Sequence, residues 1–287
     1  KVRSILAVPL SFRDQALGLV ALETVTEEGA FLEEDLSFVS AVAHQAAVAV
    51  ENARLFEEAQ EKARPPRELE LAGSIQQRVL PATLPGRRDL SVFGVTAPAH
   101  GVSGDYYDFF EKGQALFVAA GDVAGKGINA GLVMMMARSF LRPLVKMHGD
   151  PGRIVRDLNR HLVRDLRPGM FMSFLLLRWT SGADNLPYCG AGHEHVLLLP
   201  PGEPLQARPV GGMALGLAGE KHAVFADGIL PFPPGAILVL YSDGVTEAPG
   251  PGESRYGLER LQEAVERHRA LEPADMAKAI LREVKKF

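Results

Sequence analysis

Ala115-Leu116-Phe117-Val118-Ala119-Ala120 runs without a break into Gly121-Asp122-Val123-Ala124-Gly125-Lys126-Gly127. The first six residues have the composition of a buried strand, and an apolar helical period from Ala130 to Met147 follows the glycines. A strand therefore passes through a glycine-rich loop into a helix, and the loop is no hairpin tip. Asp122 sits where the strand ends, beside a glycine, so no neighbouring side chain screens its carboxylate from a cleft.

The same arrangement occurs on either side of this stretch, in Gly104-Asp105-Tyr106-Tyr107-Asp108 and in Ser242-Asp243-Gly244. A single Asp-Gly after a strand is ordinarily a turn. Three of them, each against an apolar strand, reinforce one another as a converging carboxylate cluster. Such a cluster repels itself unless a cation compensates it. Carboxylates without cysteine are hard oxygen ligands, which suit Mg²⁺ or Mn²⁺ and not zinc. A pair of such ions can activate water and clamp a phosphoryl oxygen.

Between and beyond these motifs, strands are expected at Ser91 to Thr96, Asp105 to Phe110, Ala115 to Ala120, Ser173 to Trp179, Ala183 to Cys189, Val196 to Leu199 and Ala236 to Tyr241. Helices are expected at Ala130 to Met147, Gly152 to Leu166, Leu258 to Arg269 and Ala274 to Lys286. Many strands follow one another with no helix between, which favours a mainly antiparallel α+β fold over a doubly wound parallel sheet.

The N-terminal part reads differently. Ser4 to Leu10 and Ala16 to Glu23 form a hairpin around the tip Ser11 to Gln15. From Glu33 to about Ala59, Leu36, Val39, Val42, Ala43, Ala46, Val50 and Ala53 make one helical face, extended by a charged segment to Lys62. Pro65-Pro66 breaks that helix, and a second runs from Arg67 to Leu80 with Leu69, Ala72, Ile75, Gln76 and Val79 on one side. The expected division is 1–58, a helical linker over 59–88, and a large domain over 89–287.

Composition bounds the function. The 287 residues are 47% hydrophobic and 23% charged, enough for a sizeable core. The net charge of -4, with no basic run, argues against nucleic acid. The lone Cys189 permits no internal disulfide, as expected of a cytoplasmic protein. No apolar stretch is long enough for a bilayer, so no membrane partner is expected. The sequence begins at Lys1 within a strand pattern, as a piece of a longer protein would.

The ordered motifs Ala72 to Pro81 (Ala-Gly-Ser-Ile-Gln-Gln-Arg-Val-Leu-Pro), Val102 to Asp108, Gly121 to Gly127, Ala191-Gly192-His193, Tyr241 to Glu247 and Tyr256 to Leu261 resemble the PPM-type protein phosphatases, specifically the bacterial SpoIIE- and RsbU-like branch. The resemblance covers roughly Arg67 to Phe287. It implies an αββα sandwich of two sheets flanked by helices, with two Mn²⁺ or Mg²⁺ ions in the cleft. By resemblance Asp122 bridges both ions, the Val123 carbonyl ligates one, Asp243 the other, and Asp105 holds a metal-bound water or a ligand position. It also implies a phosphoserine or phosphothreonine substrate on a small anti-sigma-factor antagonist. Residues Ser4 to about Phe56 resemble the C-terminal part of a GAF sensory domain, which places the phosphatase under an upstream sensor. The apolar stripes of the helices Glu33 to Ala59 and Arg67 to Leu80 are contacts of a homodimer or pack on the chain's own core.

One departure tempers this. Family members carry a further Asp in an Asp-Asp-x-Thr segment after the final helix, and this sequence ends at Lys285-Lys286-Phe287; Asp275 reads as the start of that helix. The expectation is a domain short of one strand and one ligand, with weakened metal binding. The alternative is a phosphatase-like module that binds a phosphoprotein without hydrolysing it. His193 and His195, two apart, could bind metal or serve a structural hydrogen bond. Cys189 and Met134-Met135-Met136 read as core filling. The G-x-G-x-x-A match at Gly125 to Ala130 is weak, because Asp122 precedes the loop and no second parallel strand with a ribose-binding acid follows, and a Walker A reading of Gly121 to Lys126 fails because the glycine spacing is one short and Gly127 replaces Ser or Thr.

Overall fold

The computed structural model describes residues 2–13, 15–26, 28–62, 66–81, 86–97, 101–193, 195–252 and 254–287, and describes no side chains for 58–62 and 66–69. The chain divides into two compact units, Lys1–Pro66 and Arg67–Phe287. The division falls inside the expected 59–88 linker, so the two linker helices lie mostly in different units.

In the first unit, β1 (Ser4–Phe12) and β2 (Gln15–Thr24) form an antiparallel hairpin. The ladder runs on to Phe12 opposite Gln15, with an irregularity between Leu10 and Ser11, so the turn is shorter than the expected five-residue tip. Asp14 lies outside the described residues. Helix α1 (Glu33–Lys62) opens with Glu33, Glu34 and Asp35, carboxylates that suit the positive end of its dipole. Val39 and Ala43 pack on Leu6 and Val8 of β1. The apolar face is narrower than its period suggests. Leu36, Val42 and Val50 are exposed, because a two-stranded hairpin is wide enough to cover only one ridge of a helix.

In the second unit, α2 (Pro66–Val79) begins with a proline at its first position, where a missing amide hydrogen costs nothing. Gly73 and Gln76 are its buried positions, with Leu80 buried just past its end, while Ile75, expected inside, is exposed; the side chain of Leu69 lies outside the described residues. The rest of the unit is a four-layer sandwich. Strands β3 (Tyr106–Lys112), β4 (Ala115–Val123), β5 (Met172–Thr180), β6 (Asn185–Ala191) and β9 (Ala226–Pro231) make a five-stranded antiparallel sheet in the order β3-β4-β5-β6-β9. Strands β7 (His195–Leu199), β8 (Gln206–Pro209) and β10 (Ile237–Val239) make a second, in the order β10-β7-β8.

Period-two alternation distributes the core. Phe117, Ala119, Phe174 and Leu176 point to one face of the larger sheet, against α3 (Gly127–Met147) and α4 (Pro151–Asp165), where they meet Met134, Leu141, Ile154 and Leu158. Leu116, Leu175, Leu177 and Trp179 point the other way, to Val196 of the smaller sheet. The outer face of that sheet, Leu197 and Leu199, is covered by α6 (Gly257–Arg267) and α7 (Pro273–Lys286) through Leu261, Val265, Met276 and Ile280. β5 is buried on both faces, which is why it reads as a continuous apolar run. The expected αββα sandwich is the fold.

Two expectations need correction. Residues 91–97 form no strand: Leu90 and Val92 enter the core between the sheets without a ladder partner, so apolar burial there needs no pairing. β8 and β9, Gln-Ala-Arg-Pro and Ala-Asp-Gly-Ile-Leu-Pro, were not expected, because as sheet-edge strands they carry polar and turn-forming residues.

Candidate metal centre

Antiparallel register builds the site. Tyr106 pairs with Gly121 across β3 and β4, so Asp105, one residue before β3, comes level with Asp122, the penultimate residue of β4. The third carboxylate arrives from the other sheet. After β10 the chain enters α5 (Asp243–Thr246), a single turn whose first residue is Asp243. Gly104 makes the approach possible: a Cβ there would stand 2.7 Å from the Val123 carbonyl oxygen and 2.9 Å from Asp122 Oδ1, closer than real Cβ atoms sit. The Val123 N–H in turn donates to the Gly104 carbonyl at 3.3 Å, fixing the β4 end against the Asp105 loop.

Two of the carboxylates act on the third. Burial, then the charges of Asp105 and Asp243, push the Asp122 carboxyl up to about 7, and Asp122 donates a hydrogen bond to the Asp243 carboxylate. Burial and then the Glu247 charge raise Asp243 as well. Among the described residues no three His, Cys, Asp or Glu side chains stand ready-made around an ion. The donor set nevertheless fits a dication: oxygen ligands only, with like charges crowded enough that Asp122 keeps its proton far above the usual carboxylate range. A divalent ion in place of that proton would relieve the same repulsion.

The supporting residues carry signals the sequence reading left unassigned. Ser103 Oγ donates to Asp105 Oδ2 at 2.9 Å and accepts from the Asp105 N–H at 3.1 Å. Glu247 beside Asp243 is paired with Arg255 at 2.5 Å. Both lie inside quoted motifs, two and four residues from an aspartate, and proximity within those motifs was the available clue.

His193 is buried against the edge of the Tyr241 ring, with ring centroids 6.4 Å apart, and its Nε2 has no hydrogen-bond partner among the described residues. Burial, with the His195 charge, lowers its pKa to about 4, so it is a neutral core imidazole at pH 7. Cys189 is fully buried, and burial and the Asp227 charge push its thiol up, away from nucleophilic behaviour. Met134 is core filling, with Met135 and Met136 packed beside it.

Residues 112–287, more than half of the chain, match the family described as Stage II sporulation protein E (SpoIIE), and residues 1–52 match the GAF domain. The chain is similar to Phosphoserine phosphatase RsbU of Bacillus subtilis, 30% identical over 220 residues that cover 74% of this chain and 63% of the relative. It is similar to Protein IcfG of Synechocystis, 31% identical over 69% of this chain and 35% of that protein. The chain therefore spans under two thirds of the length of either. Among solved structures, the SiaA-PP2C domain of Pseudomonas aeruginosa overlays 80% of this chain and 92% of its own at a TM-score of 0.66 and 23% identity. The phosphatase domain of SpoIIE from Bacillus subtilis, solved with a fragment of its regulatory domain, overlays 64% of this chain and 52% of its own at 0.55 and 18% identity. These overlays concern the fold.

Proposed function

Because the chain belongs to the SpoIIE family, we propose that it is a metal-dependent protein phosphatase acting on phosphoserine or phosphothreonine of a regulatory protein. One observation carries the reading: Asp105, beside Asp122 at the end of the larger sheet, and Asp243, from the chain leaving the smaller one, are both close enough to act on the Asp122 carboxyl. Two Mn²⁺ or Mg²⁺ ions bound there supply Lewis-acid charge neutralisation and an activated water for in-line attack on phosphorus. Asp122 would hold both, with the Val123 carbonyl and Asp243 completing separate ligand sets. Asp105, oriented by Ser103, would hold water at the site or fill a ligand position. Holding all three on separate elements fixes their spacing before substrate arrives, which is where positioning contributes to rate.

The likeness to RsbU, which is named for phosphoserine hydrolysis, supports a phosphoprotein substrate, and a small anti-sigma-factor antagonist fits that class. The GAF match over residues 1–52 supports control by an upstream sensor. Phe38, Val42, Val50 and Phe56, exposed on α1, supply apolar area for a homodimer through the linker helices. Val42→Lys combined with Val50→Lys should shift the sedimenting species from dimer to monomer; an unchanged dimer would end that part of the proposal.

The direct test is Mn²⁺-dependent phosphate release from a phosphoserine peptide. Asp122→Asn should reduce it about a hundred- to a thousandfold, the scale of removing a principal charge-stabilising group from an active site. Activity that survives both chelation and Asp122→Asn would overturn the reading.

A further inference from the structure

We propose that Gln76, on α2, is a positioning residue for the metal centre: it holds the loop that presents Asp105. The inference rests on the phosphatase reading above and extends it to a residue outside the sandwich strands. Gln76 Nε2 donates to the Ser103 carbonyl at 2.6 Å, and the Ser103 N–H donates to Gln76 Oε1 at 2.9 Å. A single side-chain amide thus satisfies both backbone groups of one residue, as a neighbouring strand would. Only glutamine does this from this distance. Asparagine is one methylene short, and glutamate has no hydrogen to give the carbonyl.

The clamp reaches the site in two steps. Ser103 Oγ holds Asp105 through its side chain and its amide, and the Gly104 carbonyl next in line holds the Val123 N–H. Locking the Ser103 backbone therefore sets both the Asp105 carboxylate and the end of β4. The site of the clamp is closed to competitors. Gln76 is 6% exposed, so water replaces the partners of its amide poorly, and the loss of either bond leaves a buried side-chain polar atom unpaired. Close packing limits adjustment: a Cβ on Gly73, one turn earlier on α2, would collide with the Gly101 carbonyl oxygen, so the helix lies directly on the loop backbone.

The test compares Gln76→Leu and Ser103→Ala with Gln77→Leu, an exposed control on the same helix, by Mn²⁺ calorimetry and by amide exchange of residues 101–106 in metal-free protein. Gln76→Leu should weaken Mn²⁺ affinity about ten- to a hundredfold, the usual effect of losing a group that orients a ligand, and speed exchange across the loop. Ser103→Ala should weaken Mn²⁺ with a smaller change in exchange, and Gln77→Leu should alter neither. A folded Gln76→Leu protein with parental affinity and exchange overturns the inference; if that variant does not fold, parental affinity in Ser103→Ala overturns it. Should the parent chain bind no Mn²⁺, the phosphatase reading fails, and loop exchange alone decides the clamp, faster upholding it and unchanged refuting it.

Discussion

Asp122 holds a proton at a pH where an exposed aspartate, near 3.8, has long lost its own, because burial and two neighbouring carboxylates push it to about 7. Between those values the folded chain binds a proton that the unfolded chain releases, so stability without metal falls as pH rises through the window. The full penalty is present above pH 7 and absent below the unfolded value. Asp122→Asn removes it: melted in chelator at pH 8, the variant should be more stable than the parent by roughly 1–2 kcal/mol after allowance for solvent screening, with the gap closing towards pH 4. A parent more stable than the variant at pH 8 would show that the carboxylates do not oppose one another. The aspartates were legible in the sequence because glycine and a strand end mark each of them. The hydrogen-bonding roles of Gln76 and Ser103 were not, since they join a helix to loop backbone 27 residues away and no periodicity encodes that.

Elements were legible to the degree that burial imposed a period. α4 was expected at Gly152 to Leu166 and runs Pro151–Asp165; its start is set by Asp150, whose side chain accepts from the Arg153 N–H at 2.8 Å. Asp150→Ala should cost about 1 kcal/mol in chemical denaturation. Leu158→Ala, which empties a fully buried position between α4 and the sheet, should cost roughly 2–5 kcal/mol. Equal losses would mean that the cap and core contribute alike, contrary to this packing. The expected strand over 91–96 failed for the converse reason. Leu90 and Val92 bury apolar surface, but a strand also needs a partner for its backbone, and alternation does not report one. On α1, the seven-residue stripe overstated the buried face because the partner is only a hairpin.

The whole molecule is two units of unequal size, Lys1–Pro66 and Arg67–Phe287, with the candidate metal centre wholly in the second. Ligand stabilises only the unit that binds it. Calorimetry should therefore resolve two transitions, of which one rises with Mn²⁺ and the other stays put; a single transition moving as one would show the units to be thermodynamically coupled. The sandwich followed from the sequence through its motifs and its helix-free strand succession, and the order of its sheets did not, since β9 and β10 pair across long stretches of chain. The central claim, that three carboxylates on separate elements form one metal site, is tested most directly by anomalous diffraction at the manganese edge from crystals soaked in Mn²⁺. Density should appear within about 2 Å of carboxylate oxygens of Asp122 and Asp243 and be lost in Asp122→Asn. Manganese bound elsewhere, or none at a concentration that supports phosphate release, would contradict it.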